Sequence, residues 1–226
     1  MLFAKSLKPI NQIPTNNRIA ATIRRAIFTG EYKAGQKLTL NELETTFGGF
    51  RTPIREALVI LESQGLIEHA HNRISRVAKI DTKFIRDTYD IREILEDEAI
   101  RKCCSLPDFQ ADQLLKLQDS AEKAVESMSL EEYVNYDLFF HSEIWRQARN
   151  KKLISFITQV WNGPYVGSDE KEVALWKTAM KEHRDILEGI IAHDTEKAQL
   201  ALNTQIERSR ERTIRAIQKT LDGGTA

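Results

Sequence analysis

The sequence predicts a mainly α-helical protein: an N-terminal winged helix-turn-helix with a small β-hairpin, followed by a C-terminal all-α helical bundle. Three observations lead to this fold class. The pair Gly48-Gly49 separates two short amphipathic helices, and two β-prone runs follow them. From residue 83 onward we find only helical patterns. We therefore divide the 226 residues into an arm (1–17), a winged helix-turn-helix (18–78), a linker (79–82) and a helical domain (83–222).

The first helix of the N-terminal domain is amphipathic and ends at Gly30. Its apolar face consists of Ile19, Ile23, Ala26 and Ile27. We expect Arg24 and Arg25, on its polar side, to be solvated, and residues 31–37 to form a turn. This helix should pack behind the next two helices and support them.

The next two helices have the start and stop signals of a helix-turn-helix. Thr39 can cap the first helix, whose buried face holds Leu40, Leu43 and Phe47. The two glycines then permit a sharp turn, because glycine adopts backbone angles that other residues resist. The second helix restarts at Thr52-Pro53, a capping residue followed by a proline that needs no N–H at that position. Gly65 ends this helix, whose apolar stripe is Ile54, Ala57, Leu58 and Leu61.

The N-terminal end of the second helix is the expected reader of DNA. In helix-turn-helix proteins this end lies in the major groove, and here it carries Arg51, Thr52 and Arg55. An arginine fork can bond guanine O6 and N7 together, and it also pairs with phosphate. The alternative is that these arginines form surface salt bridges, for example Arg55 with Glu56 or Glu62.

A hairpin after this helix would form the wing. Two β-prone runs, at residues 66–69 and 74–77, flank His71, Asn72 and Arg73. This tip could contact the DNA backbone or the minor groove, where arginine is favoured. The alternative is an ordinary surface turn.

The charge distribution also points to nucleic acid. Net charge is zero overall, but residues 1–80 hold 12 Lys/Arg and 6 Asp/Glu, a net of +6, whereas the rest of the chain has a net of −6. No run of 18 apolar residues and no signal peptide is found, and the adjacent Cys103 and Cys104 fit neither a disulfide framework nor a zinc pattern. We therefore expect a cytoplasmic protein with no membrane partner.

The second domain should contain about six helices. We expect them near residues 83–104, 109–127, 130–148, 151–161, 169–192 and 195–221. On the first of these, we expect the shared face to be formed by Phe84, Ile91, Leu95 and Ala99.

Polar residues interrupt the inner faces of three of these helices. Asp137 and His141 lie four residues apart, on the stripe formed by Val134, Leu138, Trp145 and Ala148. His183 shares a face with Met180, Leu187 and Ile190, and Gln205 lies among Ala198, Ala201, Leu202 and Ser209. Because buried polar groups need partners, we expect these four side chains to share one pocket, and a carboxylate with imidazoles can hold a metal ion. The alternative is an Asp–His hydrogen bond in the core, with His183 satisfied independently.

Several segments resemble a known family. FRTPIREALVILESQGLIE and the upstream RIAATIRRAIFTGEYKAGQKL resemble the winged helix of the GntR family of bacterial transcription regulators. YDIREILEDEAIRK, DLFFHSEIWRQARN and EHRDILEGIIAHDTEKAQLALNTQ resemble the FCD-type ligand-binding domain of its FadR subfamily. The resemblance covers nearly the whole chain from residue 18.

The resemblance implies a DNA-binding transcription regulator rather than an enzyme. It implies a homodimeric repressor on a near-palindromic operator, controlled by a small carboxylate effector. Arg92 is a candidate to pair with that carboxylate, although a salt bridge with Glu93 or Glu96 is an equal alternative.

The resemblance also implies a possible divalent metal ion (Zn, Ni or Mn) held by one Asp and three His. Asp137, His141 and His183 match three of these positions, and Gln205 stands where the family has its third His, so it is assigned with Arg92 to the effector pocket. A glutamine carbonyl is a weaker ligand than imidazole, which leaves metal occupancy open. The rival function is a metal-dependent hydrolase that uses Asp137, His141 and His183 to activate water.

Overall fold

The computed structural model of the chain describes residues 15–49, 51–69, 74–161 and 171–223. The predicted fold class is confirmed: a winged helix-turn-helix with a small antiparallel sheet precedes an all-helical domain. No helix in the described ranges is long and apolar enough to cross a membrane. Numbered in chain order, the elements are α1 (Thr15–Phe28), β1 (Lys37–Leu38), α2 (Leu40–Phe47), α3 (Arg51–Ser63), β2 (Ile67–His69), β3 (Ser75–Val77), α4 (Thr82–Cys104), α5 (Asp112–Ala124), α6 (Leu130–Gln147), α7 (Lys151–Val160), α8 (Lys171–Ile191) and α9 (Thr195–Gly223).

The described residues pack as two units. One consists of 15–88 together with 210–223, and the other of 89–209. The first turns of α4 and the last turns of α9 therefore pack with the winged helix. Phe84 of α4 lies beside Gly65, and Thr220 of α9 lies so close to Gly30 that a Cβ there would come within 2.7 Å of its methyl group.

The turn between α2 and α3 forms as the glycine pair predicts. Thr39 and Glu42 form a capping box at the start of α2. Gly48 and Gly49 have φ angles of 77° and 88°, in the left-handed region that favours glycine. The helix α3 begins at Arg51, one residue before the predicted restart. Its predicted apolar stripe, Ile54, Ala57, Leu58 and Leu61, is buried.

The sheet has one strand more than the sequence predicts. The hairpin β2–β3 is antiparallel, with Glu68 opposite Arg76. Residues 37–38, of which the first was assigned to a turn, form β1 and pair antiparallel with β3, so that the strand order is β1-β3-β2. A strand of two residues is too short to show the alternation by which strands are identified in sequence.

The expectation that Arg24 is solvated is wrong. Arg24 is buried, and its Nε and Nη2 donate hydrogen bonds to Gln64 Oε1 at 3.2 and 2.9 Å. Burial lowers the pKa of its guanidinium to about 10. The position could have been identified, because Ala20 and Phe28, four residues before and after it, are buried as well.

The helical unit has the predicted helices, but two of the predicted faces need correction. On α4, Ile91 is 48% exposed, and the buried face instead carries Tyr89, Arg92, Glu96 and Ala99. On α6, the predicted Asp137, His141, Trp145 and Ala148 are buried, but Val134 and Leu138 are only half-buried. The rest of the buried face is formed by Tyr133, Tyr136, Phe140 and Ile144. On α4 the inner face contains charged groups, so a search for apolar positions alone selects the wrong face. On α6 the predicted stripe covers only part of the buried face.

Candidate functional site

The three residues predicted to read DNA lie on one exposed face at the start of α3. Arg51, Thr52 and Arg55 are all exposed. Arg55 lies four residues after Arg51 and three after Thr52, so their side chains project together. The proposed wing tip, His71, Asn72 and Arg73, lies outside the described residues.

One of these arginines makes an ion pair that the sequence did not suggest. Arg51 Nε lies 3.1 Å from Glu44 Oε1, across the turn from α2. The contact is an ion pair and not a hydrogen bond, because the geometry at this Glu44 oxygen is not aligned for one. The oxygen is buried and has no hydrogen-bond partner among the described residues. Glu56, one of the two partners considered for Arg55, accepts a hydrogen bond from Asn16 at 2.9 Å.

A buried polar cluster lies inside the helical unit. The structure brings Asp137 and His141 of α6 together with His183 of α8, and each offers one ligand atom within 4.8 Å of the others. His183 Nε2 lies 3.6 Å from Asp137 Oδ1 and 3.3 Å from His141 Nε2. All three side chains are buried, His183 completely. The structure therefore brings these three predicted residues together as one buried cluster.

Burial dominates the electrostatics of this cluster. Desolvation raises the pKa of Asp137 above its usual range. Desolvation, followed by the positive charges of His141 and Arg208, lowers the pKa of His183 well below its usual range. A bound cation would offset the penalty of burying the Asp137 carboxylate, and neutral imidazole is the form that binds a metal.

Glu96 of α4 is a member of this site that the sequence analysis treated only as a possible partner of Arg92. Glu96 Oε1 lies 2.5 Å from Arg92 Nε, and Oε2 accepts a hydrogen bond from Trp145 Nε1 at 3.0 Å. Oε2 also lies 3.5 Å from His141 Nδ1. Burial would raise the pKa of Glu96, but the charges and hydrogen bonds of Arg92 and His141 outweigh it and lower that pKa to about 2.

Arg92 thus forms the salt bridge with Glu96 that the sequence analysis gave as the alternative to pairing with an effector carboxylate. Arg92 and Glu96 are both buried and lie four residues apart on α4. A signal for them existed in the sequence, because Tyr89, Ala99 and Cys103 continue the same helical stripe on either side. Two charged residues within such a stripe indicate an internal ion pair or a site.

Two further residues of the site were not identified from the sequence. Tyr136 lies one residue before Asp137, and its hydroxyl oxygen is 2.8 Å from His183 Nδ1. That hydroxyl donates a hydrogen bond to Gln118 of α5. In the sequence, Tyr136 looks like an ordinary aromatic residue of the core. The spacing of residues along α6 does not show which side chains of other helices its hydroxyl will contact.

Gln205 of α9 completes the cluster. Its Nε2 lies 2.7 Å from His183 Nε2, and its Oε1 is buried without a hydrogen-bond partner among the described residues. A rotation of the amide by half a turn exchanges these two atoms and brings the unpartnered oxygen to the cluster. The donor set therefore fits a divalent cation: one carboxylate, two imidazoles and an available amide oxygen.

Comparisons with known proteins agree with the two units. Residues 15–77 match the family model described as "Bacterial regulatory proteins, gntR family", and residues 87–208 match the FCD domain. The gluconate operon transcriptional repressor of Bacillus subtilis (strain 168) is 27% identical over 172 residues, which cover 72% of this chain and 67% of the relative. The Glc operon transcriptional activator of Escherichia coli (strain K12) is 32% identical over 158 residues, which cover 60% and 61% of the two chains.

A solved structure supports the fold. E. coli McbR/YncC matches with a TM-score of 0.67 and 19% sequence identity, over 90% of this chain and 99% of that chain. The two curated relatives named above are transcription regulators, not enzymes. The hydrolase alternative is therefore unsupported.

Proposed function

The chain belongs to the GntR family of bacterial regulatory proteins and carries an FCD domain, and from this we propose how it regulates transcription. It is a DNA-binding transcription regulator. We assign it to the FadR subfamily, as a cytoplasmic homodimeric repressor whose operator affinity is lowered by a small carboxylate effector. The observation that carries this proposal is the buried cluster of Asp137, His141 and His183 in the FCD domain.

The DNA-reading residues are those exposed at the start of α3. Arg51, Thr52 and Arg55 would contact bases and phosphates in the major groove, and the wing tip at His71, Asn72 and Arg73 would contact the backbone or minor groove. Two copies would read the two halves of a near-palindromic operator, with half-sites about 34 Å apart.

The metal-binding residues would be Asp137, His141 and His183, with Gln205 supplying its amide oxygen. Zn, Ni and Mn ions all accept such mixed ligands. When bound, the ion would supply positive charge to which a carboxylate can coordinate. The unpartnered oxygen of Gln205 supports this role, although an amide binds more weakly than the imidazole of a third His.

The effector pocket would be completed by Arg92. Its guanidinium is buried beside Glu96, and the ion pair uses Nε, so we assign its remaining N–H groups to the effector carboxylate. The names of the relatives support the chemical class, since gluconate is a hydroxycarboxylate. One relative is a repressor and another an activator. We propose repression, relieved when the effector favours the dimer arrangement that fits DNA less well.

The first experiment is metal analysis of the purified full-length protein, followed by calorimetric titration with gluconate and citrate before and after chelation. A duplex selected by the protein from a randomised library serves as the DNA probe. We expect bound divalent metal, carboxylate binding that disappears with the metal, and weaker duplex binding when the carboxylate is present. Carboxylate binding that survives chelation would refute the metal's role, and duplex binding unaffected by every carboxylate tested would refute effector control.

A further inference from the structure

We infer that Gln118 and Tyr136 are positioning residues that fix the tautomer of His183, with the proton on Nδ1 and a bare Nε2 directed to the cluster. The proposed function explains why this tautomer is useful, but the inference itself rests on a chain of buried hydrogen bonds. In that chain each donor determines the next.

The chain starts at Gln118 of α5, which is completely buried. Its Nε2 donates hydrogen bonds to the Met180 carbonyl oxygen at 2.6 Å and to Glu122 Oε1 at 2.7 Å. Neither acceptor has a proton to give. A carbonyl oxygen carries none, and Glu122 is held as a carboxylate by Arg184, which lies 2.8 Å from each of its two oxygens. The nitrogen end of the Gln118 amide is therefore fixed by two acceptors.

The opposite end of that amide determines the hydroxyl of Tyr136. Gln118 Oε1 can only accept, so Tyr136 donates its single hydroxyl proton to it. The other contact of this hydroxyl oxygen is His183 Nδ1, at 2.8 Å. Because the proton is already used, His183 must be the donor in that contact.

A neutral imidazole has one N–H, so a proton on Nδ1 leaves Nε2 as a bare acceptor. Nε2 is the atom that lies 2.7 Å from Gln205 Nε2, 3.3 Å from His141 Nε2 and 3.6 Å from Asp137 Oδ1. It is thus already in the form that a metal ion requires. In the metal-free protein, the same lone pair accepts the N–H of Gln205.

The consequence for metal binding follows from this preorganisation. Outer-shell partners of metal-bound histidines orient the ring and fix its tautomer, and their loss typically reduces metal affinity by about 10- to 100-fold. Glu122 and Arg184 hold the far end of the chain at the partly buried edge of α5 and α8, so the chain runs from this edge to the centre of the site.

The test is the tautomer itself, read in metal-free full-length protein with 15N-labelled histidine by long-range 1H–15N correlation. The chain has five histidines, and the His183 signals are those that vanish in His183→Asn. We expect the Nδ1–H pattern. An Nε2–H pattern in the unmodified protein would overturn the inference without any reference to metal or DNA.

Two variants then test the chain of bonds. In Gln118→Met the Tyr136 hydroxyl loses its acceptor and is free to donate to His183 Nδ1, so we expect the proton to move to Nε2, although residue 118 does not touch the ring. In Tyr136→Phe the fixed tautomer should give way to a mixture. Both variants should bind Zn²⁺ about 10- to 100-fold more weakly.

Tyr133→Phe is the matched control, because Tyr133 is buried on the same helix but stacks on Trp176 at 4.9 Å. It should retain the Nδ1–H pattern. A Gln118→Met protein with an unchanged His183 tautomer would overturn the inference. If the tautomer behaves as expected but no metal binds to the unmodified protein, the inference stands and the proposed metal site fails.

Discussion

The two functional regions of this chain place polar groups in opposite environments. At the start of α3, Arg51, Thr52 and Arg55 face solvent. In the helical unit, Glu96, Asp137 and His183 are buried. Glu96 pairs with Arg92, and His183 Nε2 lies 3.6 Å from Asp137 Oδ1. An exposed arginine can be replaced with little effect on folding, since water satisfies the groups that remain. A buried ionic group cannot, because its removal leaves a partner unsatisfied in a poorly solvated environment.

This difference predicts how substitutions in the two regions will behave. In the buried region, changes should reduce stability and ligand binding together and propagate to residues that the substituted side chain does not touch. On the exposed face of α3, changes should alter DNA binding alone. The four predictions below test this contrast in order of decreasing effect.

The largest effect is expected for Glu96→Ala, which leaves Arg92 buried without its counter-charge. Removal of one partner from a buried ion pair typically costs about 3–5 kcal/mol. The free energy of unfolding can be followed in urea by tryptophan fluorescence. Trp145, Trp161 and Trp176, which are all the tryptophans of the chain, lie in or beside helices of the helical domain.

Glu98→Ala is the matched control, because Glu98 pairs with Arg101 on the same helix but in solvent. It should change the unfolding free energy far less. Equal losses in the two variants would show that burial does not distinguish these ion pairs.

The second effect is the loss of metal and effector binding in His183→Ala with DNA binding retained. We expect the affinity for Zn²⁺ to fall by at least about 100-fold, the upper end of the loss caused by removal of an outer-shell partner. Duplex affinity without effector should stay within about threefold of the unmodified value, because the substituted residue belongs to the helical unit.

The control for this substitution is His193→Asn. His193 lies after α8 and contacts the Cys104 carbonyl oxygen rather than the cluster, and its positive φ of 55° suits asparagine. Zn²⁺ binding should be unchanged in this variant. Normal effector response in His183→Ala would remove the cluster from the effector pocket.

The apolar pattern predicted most of the fold, because helices of this length repeat their buried positions several times. It also identified Asp137, His141, His183 and Gln205, since each interrupts an apolar face. It could not identify which side chain on one helix would bond to which on another. The ion pair of Glu44 with Arg51 and the contact of Tyr136 with Gln118 both join different helices.

The same limitation explains the corrected face of α4 and the burial of Arg24. Arg24 was assigned to a polar face because its side chain is charged, and the face of α4 was drawn through apolar positions alone. Yet Arg24, Arg92 and Glu96 are all buried with partners that satisfy them. The burial of Arg24 depends on Gln64, a partner from elsewhere in the fold. Arg92 and Glu96 lie on the same helix, and their salt bridge was one of the alternatives that the sequence offered.

The third effect concerns base reading by Arg55. Arg55→Ala should weaken binding to the selected duplex by about 1–3 kcal/mol and relax the preference for that duplex over a scrambled one. Fluorescence anisotropy with both duplexes at one fixed salt concentration measures the two affinities. Arg25→Ala, an arginine of α1 paired with Glu31, should leave the preference unchanged. The base-reading role of Arg55 is excluded if the preference of Arg55→Ala equals that of the unmodified protein.

The smallest effect, and the sharpest test of the exposed region, is expected for Glu44→Gln. Because the ion pair uses Arg51 Nε, it leaves the terminal nitrogens of the guanidinium for guanine or phosphate. Ion pairs near the surface contribute about 0.2–1 kcal/mol, so the preference for the selected duplex should fall by about 1.4- to fivefold. Loss of the negative charge should meanwhile strengthen binding to scrambled DNA slightly.

Two comparisons separate positioning from simple charge. Glu62→Gln removes the same charge near the other end of α3 and should strengthen binding to both duplexes without altering their ratio. In an Arg51→Ala background, Glu44→Gln should no longer change the ratio, because the residue through which it acts is absent. A ratio that falls equally in both backgrounds would mean that Glu44 acts on DNA binding independently of Arg51, and the positioning role of this ion pair would be excluded.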